Sequence, residues 1–232
     1  MPKKPKPHEL RNSNFRKSHG IERSLKPRPI FPERHLFVSE GSKTEPKYID
    51  GIITKICEKL GEQARNQFKT IGDGSCTLTL LERAERYQKN DSDGFQHVWV
   101  IFDKDDFPPD AFDNTIRRCE ALNERNSKRG IDLLFHAIWS NQCVELWFLL
   151  HYLYLVADIP RDEYYDKLSA QIGHTYEKND DRTFMTLLPK LTTAIKHANR
   201  LMNSYPEDTP PSGRTPCTNF YELVKVFLPY LK

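Results

Sequence analysis

Four carboxylates in this sequence have the type and spacing to hold a hard metal ion. Glu40 closes the apolar run His35–Glu40 (HLFVSE), and Asp103 closes the run His97–Asp103 (HVWVIFD), followed by Lys104, Asp105 and Asp106. Asp103 and Asp105 are two residues apart, so they point the same way if the strand continues. Two carboxylates ~4 Å apart repel by ~4 kcal/mol at an effective dielectric of ~20. Three together need a cation, or their pKa values rise. A divalent ion with oxygen ligands resolves the conflict. The rival reading is a set of solvated helix N-caps, a position that Asp and Glu favour. Glu145 carries a separate argument. It stands among Val144, Leu146, Trp147, Phe148, Leu149 and Leu150. A carboxylate in so apolar a run needs a partner, either a metal or an arginine. Asn141 lies one helical turn away, on the same face if the helix extends back to it.

Three other features carry less chemistry. His151 ends the apolar run and reads as a packed, hydrogen-bonded core residue. Gly41-Ser42-Lys43-Thr44 resembles the end of a phosphate loop, but the glycine five residues before Lys43 is missing. Gly72-Asp73-Gly74 lacks the third glycine of a dinucleotide fingerprint and reads as a turn.

The elements that must position the acids follow from periodicity. His35–Glu40 and His97–Asp103 read as buried strands, Gln67–Ile71 as another, and Ile131–Trp139 as a fourth. Helices are expected over Glu45–Leu60, with Tyr48, Ile49, Ile52, Ile53, Ile56 and Leu60 on one face, over Thr77–Lys89, and over Asp110–Lys128. Strands alternating with helices imply right-handed crossovers and a largely parallel α/β sheet, whose binding sites lie beyond the carboxyl ends of the strands. After residue 140 the chain turns helical: Val144–Leu155, Arg161–Ile172, Phe184–Tyr205 and Asn219–Leu231, with Pro206–Pro216 a loop.

Composition bounds the rest. At 232 residues, 38% apolar and 29% charged, the chain suits one soluble domain with appendages. The longest apolar run, Leu146–Ala157, is too short for a membrane span of ~20 residues. The N-terminus has lysines without an apolar stretch behind them, unlike a secretory signal. Cys57, Cys76, Cys119, Cys143 and Cys217 form no C-x-x-C pair, which argues against a disulfide framework or a structural zinc. No H-E-x-x-H occurs, which argues against the common zinc hydrolases. A reducing, cytoplasmic location is expected. Residues 1–34 hold ten Lys/Arg against three Glu, whereas the remainder holds 25 Lys/Arg against 29 Asp/Glu. The proline-rich basic segment reads as an extended arm suited to nucleic acid, or as a solubilising tail, ahead of a folded domain over residues 35–232.

Glu40 after one apolar strand and Asp103-x-Asp105 after a later one resemble the Toprim pattern of primases, topoisomerases and related nucleases. More narrowly, the chain resembles the RloB-like proteins. The matching pieces are Phe37-Val38-Ser39-Glu40-Gly41 with Thr44, Glu45 and Tyr48; Phe102-Asp103-Lys104-Asp105-Asp106-Phe107; Asn141 with Glu145 through His151; Tyr176-x-Lys178; and Thr218-Asn219. The resemblance covers roughly residues 34–231. It implies a Toprim-like core with added C-terminal helices, encoded by bacterial anti-phage or restriction-linked loci. It further implies a Mg²⁺- or Mn²⁺-dependent nuclease acting on RNA, transfer RNA among the substrates of related proteins, or on DNA. On that reading Asp103 and Asp105 hold metal, Glu40 is a ligand or general base, Glu145 serves a second ion, and Lys178 or Lys43 neutralises the phosphate. The chain has no room for the strand-gate domains of a topoisomerase. Two rivals remain at this point: a D-x-D phosphatase with an aspartate nucleophile, and a non-catalytic nucleic-acid-binding or sensor subunit of a defence complex with a partner protein.

Overall fold

Each buried strand pairs with one far from it in sequence, and the pairing decides where the acids meet. The structure is a computed structural model that describes residues 31–74, 77–105 and 108–231. Most of the expected basic arm, residues 1–30, therefore lies outside the described residues, as do Cys76, Asp106 and Phe107. Phe31 packs against the core, and Arg34 pairs with Asp91 at 2.9 Å while lying over the Phe95 ring, so the chain is held in the body from here on.

Five strands form one sheet in the order β2-β1-β3-β4-β5. They are β1 (His35–Ser39), β2 (Phe68–Gly72), β3 (His97–Asp103), β4 (Leu134–Asn141) and β5 (Cys217–Thr218). The first four are parallel, and β5 is antiparallel on the edge. The fold is α/β, as the alternation implies, and is consistent with a Toprim-like core carrying C-terminal helices. Helix α1 (Thr44–Leu60) links β1 to β2, α2 (Thr77–Lys89) links β2 to β3, and α3 (Pro109–Lys128) links β3 to β4. The remaining helices are α4 (Glu145–Leu149), α5 (Arg161–Ile172), α6 (Thr183–Leu187), α7 (Leu191–Met202) and α8 (Phe220–Leu231).

Side chains alternate along each strand and divide the core in two. Phe37, Trp99, Ile101 and Ile138 face α1 and the C-terminal helices, including Tyr48, Ile52, Trp147 and Phe220. Leu36, Val38, Val100, Phe102 and Trp139 face α2 and α3, including Leu81, Ala84 and Phe112. The chain leaves β1 in one direction along the sheet and β3 in the other. Right-handed crossovers then place α1 and α3 on opposite faces and open a crevice above the carboxyl ends of β1 and β3.

Several boundaries differ from the sequence reading. The run expected as one helix over Val144–Leu155 is helical only at Glu145–Leu149. Residues Val144 to His151 are buried throughout, so no polar stripe defines a longer amphipathic helix. The helix expected over Phe184–Tyr205 is divided by a 3₁₀ turn at Leu188–Lys190, where Pro189 has no N–H to donate. Strand β4 begins later than expected and runs on to Asn141, because β5 pairs with its last two residues. Among the described residues, no helix is long and apolar enough to cross a membrane.

Candidate functional site

The crevice is a pocket of about 150 Å³ at the carboxyl end of the sheet. Glu40, Asp103, Asp105, Glu145 and Lys178 all line it, together with Gly41, Glu45 and Arg161.

Glu40 directly follows β1. Its backbone N–H still donates to Ile101 O at 2.9 Å, which anchors it beside β3. Its Oε2 accepts from Thr77 Oγ1 at 3.0 Å. Burial raises its pKa, against opposing pulls from Thr77, the Asp103 backbone and Arg161. Asp103 ends β3, and its Oδ2 accepts the Val144 N–H at 3.1 Å. Burial, then the charges of Glu45 and Glu145, push its carboxyl well above the usual range.

Asp105 reaches the pocket by a different route from the one expected. The strand stops at Asp103, and Asp105 adopts a left-handed turn with φ 42°. Strand alternation therefore does not align the two aspartates. The Asp105 N–H donates to Gln142 O at 3.0 Å, which pins the turn beside β4, and the carboxylate meets the Arg161 guanidinium. Aspartate tolerates this backbone conformation better than most residues.

Glu145 opens α4 and is almost wholly buried. Its Oε1 accepts from Tyr176 Oη at 3.2 Å and lies 3.8 Å from Lys178 Nζ. The basic partner open in the sequence is thus a lysine, not an arginine. Lys178 sits over the Tyr165 ring at 5.2 Å, and Tyr165 stacks on Tyr176 at 5.8 Å. Asn141 takes no part in the pocket, contrary to the expectation from spacing. Its Nδ2 donates to Ser212 O at 3.0 Å and Pro211 O at 3.4 Å, across the sheet edge. Lys43 is exposed and does not line the pocket. His151 is a core residue as expected: its Nδ1 bonds Trp147 O at 3.0 Å, and burial lowers its pKa to about 4.

Two residues escaped the functional reading of the residues. Glu45, in the first turn of α1, is 4% exposed and faces the other acids. Burial, then Glu145 and Glu40, raise its pKa to about 7, against hydrogen bonds from backbone N–H groups. Its carboxylate occupies space that only glycine leaves free, since a Cβ on Gly41 would fall 2.0 Å from Glu45 Oε2. A second acid in the first turn of the helix after Glu40 is the available signal. Arg161 follows Pro160 at the start of α5, and nothing local marks it.

The donor set is entirely carboxylate oxygen, which suits Mg²⁺ or Mn²⁺. Asp105 Oδ1 is buried beside the Arg161 guanidinium. Among the described residues, no three His, Cys, Asp or Glu side chains stand ready-formed around one ion position. The donor types fit a hard divalent ion, without a ready-formed coordination shell.

Residues 35–227 match the family described as RloB-like protein. The chain belongs to the RloB-like family. Curated proteins and solved structures give no match. The family match runs from the first residue of β1 into α8 and takes in all five carboxylates of the pocket, Arg161 and Lys178.

Proposed function

We propose that this RloB-like protein is a Mg²⁺- or Mn²⁺-dependent nuclease that hydrolyses phosphodiester bonds in RNA, transfer RNA included, or in DNA. Its setting is the bacterial cytoplasm, in anti-phage defence, alone or with a partner protein. The observation that carries the reading is the pocket itself: five carboxylates at the switch point of a parallel sheet, two of them, Asp103 and Glu45, strongly shifted toward the neutral form. Such a site holds protons when empty and exchanges them for a divalent cation.

Asp103, Asp105, Glu45 and Glu145 would hold the ion or ions. When bound, the metal supplies positive charge to the attacking and leaving oxygens. Glu40, held by Thr77 and raised by burial, accepts the proton of the attacking water. Lys178, half-exposed at the rim, meets the phosphate charge. The basic segment of residues 1–34 adds sequence-independent phosphate contacts.

The test is incubation of the purified protein with end-labelled RNA and DNA, with Mn²⁺, with Mg²⁺ and with chelator. Metal-dependent cleavage of either polymer is the expected result. Retention of nucleic acid without cleavage in any metal would turn the reading to a sensor subunit. Phosphate trapped covalently on an aspartate would turn it to the phosphatase.

A further inference from the structure

Arg161 lines the acid pocket and has no part in the mechanism above. It is the first residue of α5, and its guanidinium reaches Asp105 from 56 positions along the chain. Asp105 Oδ1 is buried, and the Arg161 guanidinium is the cation paired with it. The left-handed turn and the Asp105 N–H bond to Gln142 O hold the backbone here independently of the arginine. The Arg161 side chain is about one-third exposed (36%), so it is not locked in by packing on all sides. Lys178, the other cation lining the pocket, is beside Glu145.

A guanidinium and a divalent ion cannot share the inner side of one carboxylate without like-charge repulsion. Freed from Asp105, the planar fork of an arginine is suited to two oxygens of a phosphate. We propose that Arg161 is an internal counter-cation that a divalent ion displaces from Asp105, and that the displaced guanidinium then binds a non-bridging oxygen pair of the substrate phosphate. The second half rests on the nuclease reading; the first needs only that a divalent ion binds at Asp105.

The experiment has two arms on the full chain. In the first, Mn²⁺ binding is measured by the electron paramagnetic resonance of the free ion, without nucleic acid, for wild type, Arg161→Ala and Arg161→Lys. Removing a partly exposed competing charge should tighten Mn²⁺ binding by roughly fivefold in Arg161→Ala. Arg161→Lys, which keeps the charge, should stay near wild type. Unchanged or weaker Mn²⁺ binding in Arg161→Ala, with or without a lowered thermal midpoint, makes the pair a plain strut and overturns the displacement. The second arm is single-turnover cleavage at saturating Mn²⁺. Arg161→Ala should be slower by roughly 10- to 100-fold despite its tighter metal, and a wild-type rate overturns the phosphate half. If wild type cleaves nothing, the nuclease reading and the phosphate half fail together, while the Mn²⁺ arm still decides the displacement.

Discussion

The two ends of the same strands treat buried titratable groups in opposite ways. At the carboxyl ends of β1 and β3 stand Glu40 and Asp103; at their amino ends stand His35 and His97, with His136 of β4 alongside. The histidines are supplied with partners. His35 Nδ1 accepts the Trp99 Nε1–H at 3.1 Å, and its ring stacks on His97 at 4.7 Å and meets the edge of Phe227 at 4.9 Å. His97 bonds His136 at 2.9 Å on one side and Glu33 at 2.7 Å on the other. Burial lowers His35 to about 3 and His136 to about 4. Desolvation raises Glu45 and Asp103 as well, and there like charges of neighbouring carboxylates add to the effect. One end is finished as structure. The other retains an electrostatic conflict that a cation would relieve, and it lies where diverging crossovers leave the strand ends open.

The sharpest way to break this contrast is Asp103→Asn. Metal-dependent cleavage should fall to background while the metal-free fold survives, because the amide oxygen can still accept the Val144 N–H and the uncharged amide resembles the neutral carboxyl that burial favours. Full activity at saturating Mg²⁺, alongside an unchanged melt, would move the chemistry elsewhere.

The two ends should also oppose each other in pH. A carboxyl raised in the fold holds its proton more tightly than in the unfolded chain, so its contribution is complete below the unfolded value and is lost as pH rises through the folded one. For Glu45 that window runs from 4.5 to about 7, a change of ~3 kcal/mol. A histidine lowered in the fold acts in reverse. The stability it permits is complete above 6.5 and is lost as pH falls toward about 4 for His136 and about 3 for His35. Thermal melts of the metal-free protein should therefore pass through a maximum at mildly acidic pH, where the two windows overlap, and drop on either side. Added Mg²⁺ should lift the alkaline side alone. A uniform lift at every pH would mean that the ion does not compete with the protons of this pocket.

A smaller effect is expected at Glu145. Glu145→Ala leaves the Tyr176 hydroxyl without its acceptor, at ~1–3 kcal/mol in urea unfolding. This is less than the ~3–5 kcal/mol for breaking a fully buried pair, because Lys178 is half-exposed and can turn to solvent. A loss at the upper figure would make Glu145 chiefly structural. The smallest change in stability is expected from Lys178→Ala, under ~1 kcal/mol, with cleavage slowed by roughly tenfold or more if the lysine meets phosphate. Equal turnover with and without it would leave Lys178 as a partner of Glu145 alone.

Local sequence determined the parts that depend on near neighbours. Continuous β-branched and aromatic runs mark β1 and β3, a 3.6-residue apolar stripe marks α1, and the acids that end the two strands are visible as such. That His151 is core also follows from its surroundings in the chain. The tertiary structure alone decided which groups converge. Strand order, set by how the crossovers pack on two faces, puts β1 beside β3 and so Glu40 beside Asp103. Asn141 has the right spacing from Glu145, yet β5 and the Pro211–Gly213 turn claim its amide. Glu45 needs Gly41 bare of a side chain, and Arg161 and Lys178 arrive on segments far from the acids they meet. Periodicity reports which face of an element is buried; it carries no information about which distant charge will share the burial, because that is fixed by packing across the whole sheet.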